Sequence, residues 1–136
     1  MSFNILLAIS PMIAVFFLNV FLFTAFGLMD ELWFSMSMHT LGGFVTAWSA
    51  ANVYGLVKEK YRLSIKPFFL FVFFLIGTTA IVGILWEVYE FTSRIVFPSQ
   101  VPLTLADTLT DLLMDMLGAV VFGIFLGKRS RRNRST

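Results

Sequence analysis

The chain has 136 residues, of which 58% are hydrophobic, 13% are charged and 17 are phenylalanine, with a formal net charge of +2. A soluble domain is roughly 45–50% apolar and about 25% charged, so this composition excludes a soluble enzyme and, being too hydrophobic to stay unfolded, intrinsic disorder. The absence of cysteine excludes disulfides, thiolate metal sites and cysteine nucleophiles, and a single histidine excludes bis-histidine haem within one chain.

Four apolar stretches are long enough to cross a hydrocarbon core, which takes about 20 helical residues. They run over about 5–29, 32–57, 68–91 and 107–127. Runs such as Phe68 to Ile76 are apolar at every position, which fits a helix and not an alternating barrel strand. The predicted fold is therefore an all-α integral membrane protein, a bundle of four transmembrane helices occupying 1–127 as a single unit.

The first span has no positively charged leading region and no small-residue cleavage site, and is expected to be a retained helix. Pro11 falls inside it, where a kink is expected. Asp30 and Glu31 mark a short hairpin into the second span. The second connection, Lys58 through Lys66 and Pro67, is basic. The third, from Thr92 to Ala106, carries Pro98, Pro102 and Arg94. The segment 128–136 is a basic tail, expected to meet anionic lipids; it is too short to predict nucleic-acid binding. Alternating the sides places every Lys and Arg except Arg94 on one face, which puts both termini in the cytoplasm, N-in and C-in, in a cytoplasmic (inner) membrane.

The ionisable residues left inside the spans carry the chemistry, because a charge near mid-bilayer costs about 2.5–3.5 kcal/mol on insertion scales. They are His39, Glu87, Glu90, Asp107, Asp111 and Asp115. At ~1.5 Å rise per residue, His39, Glu87, Asp111 and Asp115 all fall roughly 6–12 Å below the outer surface. Residues three and four apart share a helix face, so Ser35, His39, Gly42, Thr46 and Ser49 form one stripe. Thr79, Gly83, Glu87, Glu90 and Arg94 form a second, and Asp107, Asp111, Asp115 and Gly118 a third. In the first span, Asn19 and Asp30 share a face with Phe23 and Phe26. The stripes predict a polar interior open to the outside, where Asp30, Glu31, Glu87, Glu90, Asp107, Asp111 and Asp115 face Arg94 alone.

Carboxylates packed so closely cannot all ionise without a cation. The predicted site is a divalent metal ion (Mg, Mn, Ca, Fe or Zn) held by Glu87, Asp111, Asp115 and His39, with Glu90, Asp107 and Arg94 around it. His39 and Glu87 are the candidate catalytic residues, with the metal activating water or a phosphoryl group of an envelope lipid; no organic cofactor site is expected. Two other functions fit the same acids: a proton- or cation-coupled transporter or channel subunit, and a structural partner whose acids only fix helix packing. Asp107 also reads as a helix cap, Glu90 with Arg94 as an i, i+4 ion pair, and Gly123-x-x-x-Gly127 as a packing surface that would admit a homo-oligomer. Trp33 and Trp86 read as interface anchors, and the phenylalanine runs as lipid-facing surface.

The motifs His39-Thr-Leu-Gly42-Gly43, Trp86-Glu87-Val-Tyr-Glu90 and Asp107-Thr-Leu-Thr-Asp111-Leu-Leu-Met-Asp115-Met-Leu-Gly118 resemble the YjdF-like family of bacterial and archaeal inner-membrane proteins. The stretch from Glu87 to Gly123 also resembles VanZ-like proteins, which share an acid pair on one helix and a D-x-x-x-D-x-x-x-(N or D)-x-x-G pattern on the next. Glu90 and Asp115 are acids where amides are common in that group. The resemblance implies a multi-pass membrane protein linked to the cell envelope.

Overall fold

The computed structural model describes residues 2–26, 32–96 and 104–132. The chain forms four α-helices: α1 (Ser2–Phe26), α2 (Leu32–Tyr61), α3 (Phe68–Val96) and α4 (Leu105–Arg132). Asp30, Glu31, Pro98 and Pro102 lie outside the described residues. The helices run past the hydrocarbon-length stretches at several ends. α2 continues through Lys58 and Lys60, α3 through Arg94 and α4 through Lys128 and Arg129. Hydropathy ends where charge begins, whereas a helix continues as long as its backbone ladder can.

α1, α3 and α4 are each long and apolar enough to cross a membrane. α2 is long enough at 30 residues but falls outside that group, because Ser35, Ser37, His39, Thr40, Thr46 and Ser49 lower its hydropathy. Packing explains the difference. α2 touches all three other helices, and α4 additionally packs on α3. A helix surrounded by protein can place hydroxyls and an imidazole where a lipid-facing helix cannot.

Pro11 lies inside a continuous α1. Proline has no N–H to give the carbonyl four residues back, and here the Ser10 hydroxyl donates to that carbonyl, Leu7 O, at 2.9 Å. Where the chain leaves α2, Arg62 takes φ 53°, the left-handed conformation that commonly stops a helix.

Two glycines set the closest helix approach. A β-carbon on Gly43 of α2 would collide with the backbone carbonyl of Asp115, and one on Gly118 of α4 would collide with Thr40 O and Phe44 N. The α2 and α4 backbones therefore meet without side chains between them, as small-residue interfaces allow. Below this crossing, Ala47, Leu75, Ala119 and Phe122 form a closed apolar core. Phe122 packs edge-on against Phe44, so this phenylalanine is buried, while Phe17, Phe69 and Phe73 stay on the outer surface. Gly123 and Gly127 face Val72 and Phe68 of α3, which accounts for their spacing within one chain.

Candidate metal centre

Three helices deliver one buried cluster. His39 projects from α2, Glu87 from α3, and Asp111 and Asp115 from successive turns of α4, and all four are buried. The i, i+4 spacing of Asp111 and Asp115 aligns both carboxylates along one face of α4. The imidazole lies between them. His39 Nε2 is 3.5 Å from Asp111 Oδ2 and 4.0 Å from Glu87 Oε1, while Nδ1 on the opposite edge is 3.4 Å from Asp115 Oδ1.

His39, Glu87 and Asp111 each turn one ligand atom into a common space, with all three atoms within 4.8 Å of one another. Two ligands of one ion with bonds of ~2.4 Å lie at most ~4.8 Å apart, so the trio can hold a metal ion. Asp115 is in contact with the cluster on the Nδ1 edge of the ring and is absent from that trio. Sequence spacing put Asp115 on the right face but gave no information on which ring edge it meets.

The cluster sets three carboxyl groups against one imidazole. Were all three ionised they would outnumber even a protonated His39, so the arrangement calls for a cation or for protons on the acids. Ser35 Oγ donates to Asp111 Oδ1 at 3.0 Å. Thr108, one turn into α4, sets its side chain beside Glu87. Glu87 Oε1 and Asp115 Oδ2 are buried with no hydrogen-bond partner. Ser35 is four residues before His39 and so shares its face, a signal the sequence contains; Thr108 becomes relevant only once α3 and α4 are known to be neighbours.

The remaining predicted residues sit apart from the trio. Arg94 donates to Glu90 at 2.6 Å across one turn of α3, forming the i, i+4 pair. Asp107 is tied to the start of α4: Thr104 N and Thr104 Oγ1 both donate to Asp107 Oδ2, at 3.1 and 2.7 Å, and Asp107 N donates back to Thr104 Oγ1 at 3.2 Å. This is a reciprocal capping box in which Thr104 is the cap and Asp107 its partner. Among the described residues, none from α1 joins the cluster. Trp86, beside Glu87 in sequence, instead packs against Phe16 of α1 and Tyr89.

An all-helical bundle with three membrane-length apolar helices and a buried histidine–carboxylate cluster at its centre defines a class: multi-pass membrane proteins with an ionisable interior. More specifically, the chain belongs to the family described as predicted membrane protein (DUF2238), whose model matches residues 2–132. No curated protein and no solved structure matches it.

Proposed function

We propose that this protein spans the inner membrane four times, N-in and C-in, and binds a divalent cation through His39 Nε2, Glu87 and Asp111. Asp115 holds the histidine from the other ring edge, the carboxylate–histidine–metal arrangement that fixes the tautomer and strengthens the ligand. This refines the ligand set expected from spacing, since Asp115 supports the ion through His39. The observation that carries the proposal is Glu87 Oε1: a buried carboxylate oxygen aimed at His39 from 4.0 Å, beyond hydrogen-bond reach, with no partner. A cation between the two would satisfy it and offset the surplus negative charge.

A cation at this depth would act as a Lewis acid toward water or a phosphoryl group, and the VanZ-like resemblance of the α3–α4 half favours an envelope lipid or lipid-linked substrate. Elemental analysis of purified wild type, Glu87→Gln and Asp111→Asn tests the site. Stoichiometric metal in wild type and its loss in both variants is expected; full metal content in both variants would overturn the proposal.

A second reading, a proton or cation relay, draws support from Ser49 Oγ and Thr79 Oγ1, which are buried without partners on the inner side of Asp115. Against it stands the closed core of Ala47, Leu75, Ala119 and Phe122, which blocks the direct line along α4. Ion flux in liposomes that disappears with Asp115→Asn would favour the relay.

A further inference from the structure

A cavity of about 500 Å³ lies between α1, α2, α3 and the connection that follows α2. Its volume falls within the ~300–1,000 Å³ of ligand pockets. Ile9 and Met12 of α1, Val53 of α2, and Phe74 and Val82 of α3 form its walls. α1 packs on α2 through the buried Ala8 but makes no close backbone approach to α3, which leaves this space between them.

The polar groups that reach the cavity are largely used within the protein. Tyr54 OH accepts the Ile65 N–H at 2.8 Å, and Thr78 Oγ1 donates to Phe74 O at 2.9 Å. The buried polar atom left without a partner on this wall is Ser49 Oγ. Thr46 and Ser64 add two further hydroxyls to a lining whose remaining side chains are apolar, too few polar partners to fill a space this large with ordered water. A hydrocarbon occupant fits it better.

Charge identifies the rest of that occupant. Leu63 and Ile65 line the cavity at the connection, as does Val57 at the end of α2. Each adjoins a cation in sequence: Lys58 follows Val57, Arg62 precedes Leu63 and Lys66 follows Ile65, with Glu59 the one acid from 58 to 66. The Ile65–Tyr54 bond pins this basic segment against the cavity. We infer that the cavity takes one acyl chain of an anionic phospholipid, whose phosphate is held by Lys58, Arg62 and Lys66. The inference is independent of the cation site and rests only on the chain lying in a bilayer.

The test reconstitutes the full chain in vesicles containing equal amounts of phosphatidylglycerol and phosphatidylcholine, re-extracts it in detergent and measures the retained phospholipid by mass spectrometry. Wild type is expected to retain phosphatidylglycerol with about tenfold enrichment over phosphatidylcholine, reflecting the attraction of clustered basic residues for anionic headgroups. Ala50→Phe, which fills the cavity, is expected to retain neither. The combined Lys58→Gln, Arg62→Gln and Lys66→Gln variant leaves the walls intact and is expected to lose the headgroup preference, and it decides the matter if Ala50→Phe fails to fold. Equal retention of both lipids by wild type, or unchanged preference in the triple variant, would overturn the inference. So would a lipid-free dimer that Ala50→Phe converts to a monomer, which would assign the cavity to a second copy of the chain.

Discussion

Gly83 of α3 is the space into which the Asp115 carboxylate of α4 fits: a β-carbon on Gly83 would stand 2.5 Å from Asp115 Oδ2 and 3.1 Å from Leu112 Cδ2. Asp115 is also bounded by α2, where a β-carbon on Gly42 would lie 3.9 Å from Oδ1. The glycines thus permit a carboxylate to reach the imidazole inside a tightly packed crossing. Gly83→Ala is expected to push Asp115 away from His39 Nδ1, and Gly43→Ala to force the α2 and α4 backbones apart. Overpacking of this kind costs about 1–3 kcal/mol, with Gly43→Ala the more damaging because backbone cannot rotate aside. Thermal unfolding of the two variants in one detergent checks the order; equal stability with wild type would mean the close approach is absent.

The close approach of carboxylates to both ring edges of His39 divides the acids by role. Replacing Asp115 with Asn keeps shape while removing the charge behind Nδ1, and outer partners of metal-bound histidines typically contribute 10–100-fold to metal affinity. Asp115→Asn is therefore expected to weaken divalent-cation binding by about that factor. His39→Gln is expected to weaken it further, since a ligand itself is lost. Competition titration against a fluorescent chelator measures both, and an Asp115→Asn affinity equal to wild type would remove Asp115 from the site.

How much of this was legible in the sequence follows from what periodicity encodes. Helical spacing reports which residues share a face, so the stripes through His39, through Gly83 and Glu87, and through Asp111 and Asp115 were readable, and their faces do meet. Spacing along one helix says nothing about rotation of a ring between two neighbours. For that reason Asp115 stood beside Asp111 as an equal ligand until the geometry placed them on opposite edges of His39. Hydropathy is equally silent on the surroundings of α2, since a window average cannot tell a helix packed against three others from one facing lipid. The cavity beside Tyr54 had no sequence signal, because it depends on α1 packing on α2 while standing away from α3.

Asp107 and Asp111 lie one turn apart, yet their hydrogen bonds predict different phenotypes. Asp107 and Thr104 satisfy each other, including the Asp107 N–H in the first turn of α4. Loss of such a cap costs about 0.5–2 kcal/mol. Thr104→Ala and Asp107→Ala are expected to lower the unfolding temperature by similar amounts, not additively, because each removes the same reciprocal box. Both are expected to leave metal content at the wild-type level, whereas Asp111→Asn removes it. A loss of metal in Asp107→Ala would bring Asp107 into the ligand sphere.

The intermediate hydropathy of α2 makes its span the element of the topology most worth measuring directly. A chain without cysteine permits single-cysteine labelling with no background. Leu32 and Tyr61 are the two ends of α2 and both are exposed, at 63% and 58%. At ~1.5 Å per residue the helix between them is about 45 Å long, comparable to a whole bilayer with its headgroups. If α2 crosses, Leu32→Cys and Tyr61→Cys are expected to react with a membrane-impermeant maleimide from opposite sides of the membrane. Tyr61→Cys should be reached only after permeabilisation, because the basic residues around it favour the cytoplasm. Leu105→Cys, at the first residue of α4 and 74% exposed, is expected to label with Leu32→Cys from outside. Labelling of Leu32→Cys and Tyr61→Cys from the same side would leave three spans, send the two termini to opposite faces and detach the positive-inside argument from this chain.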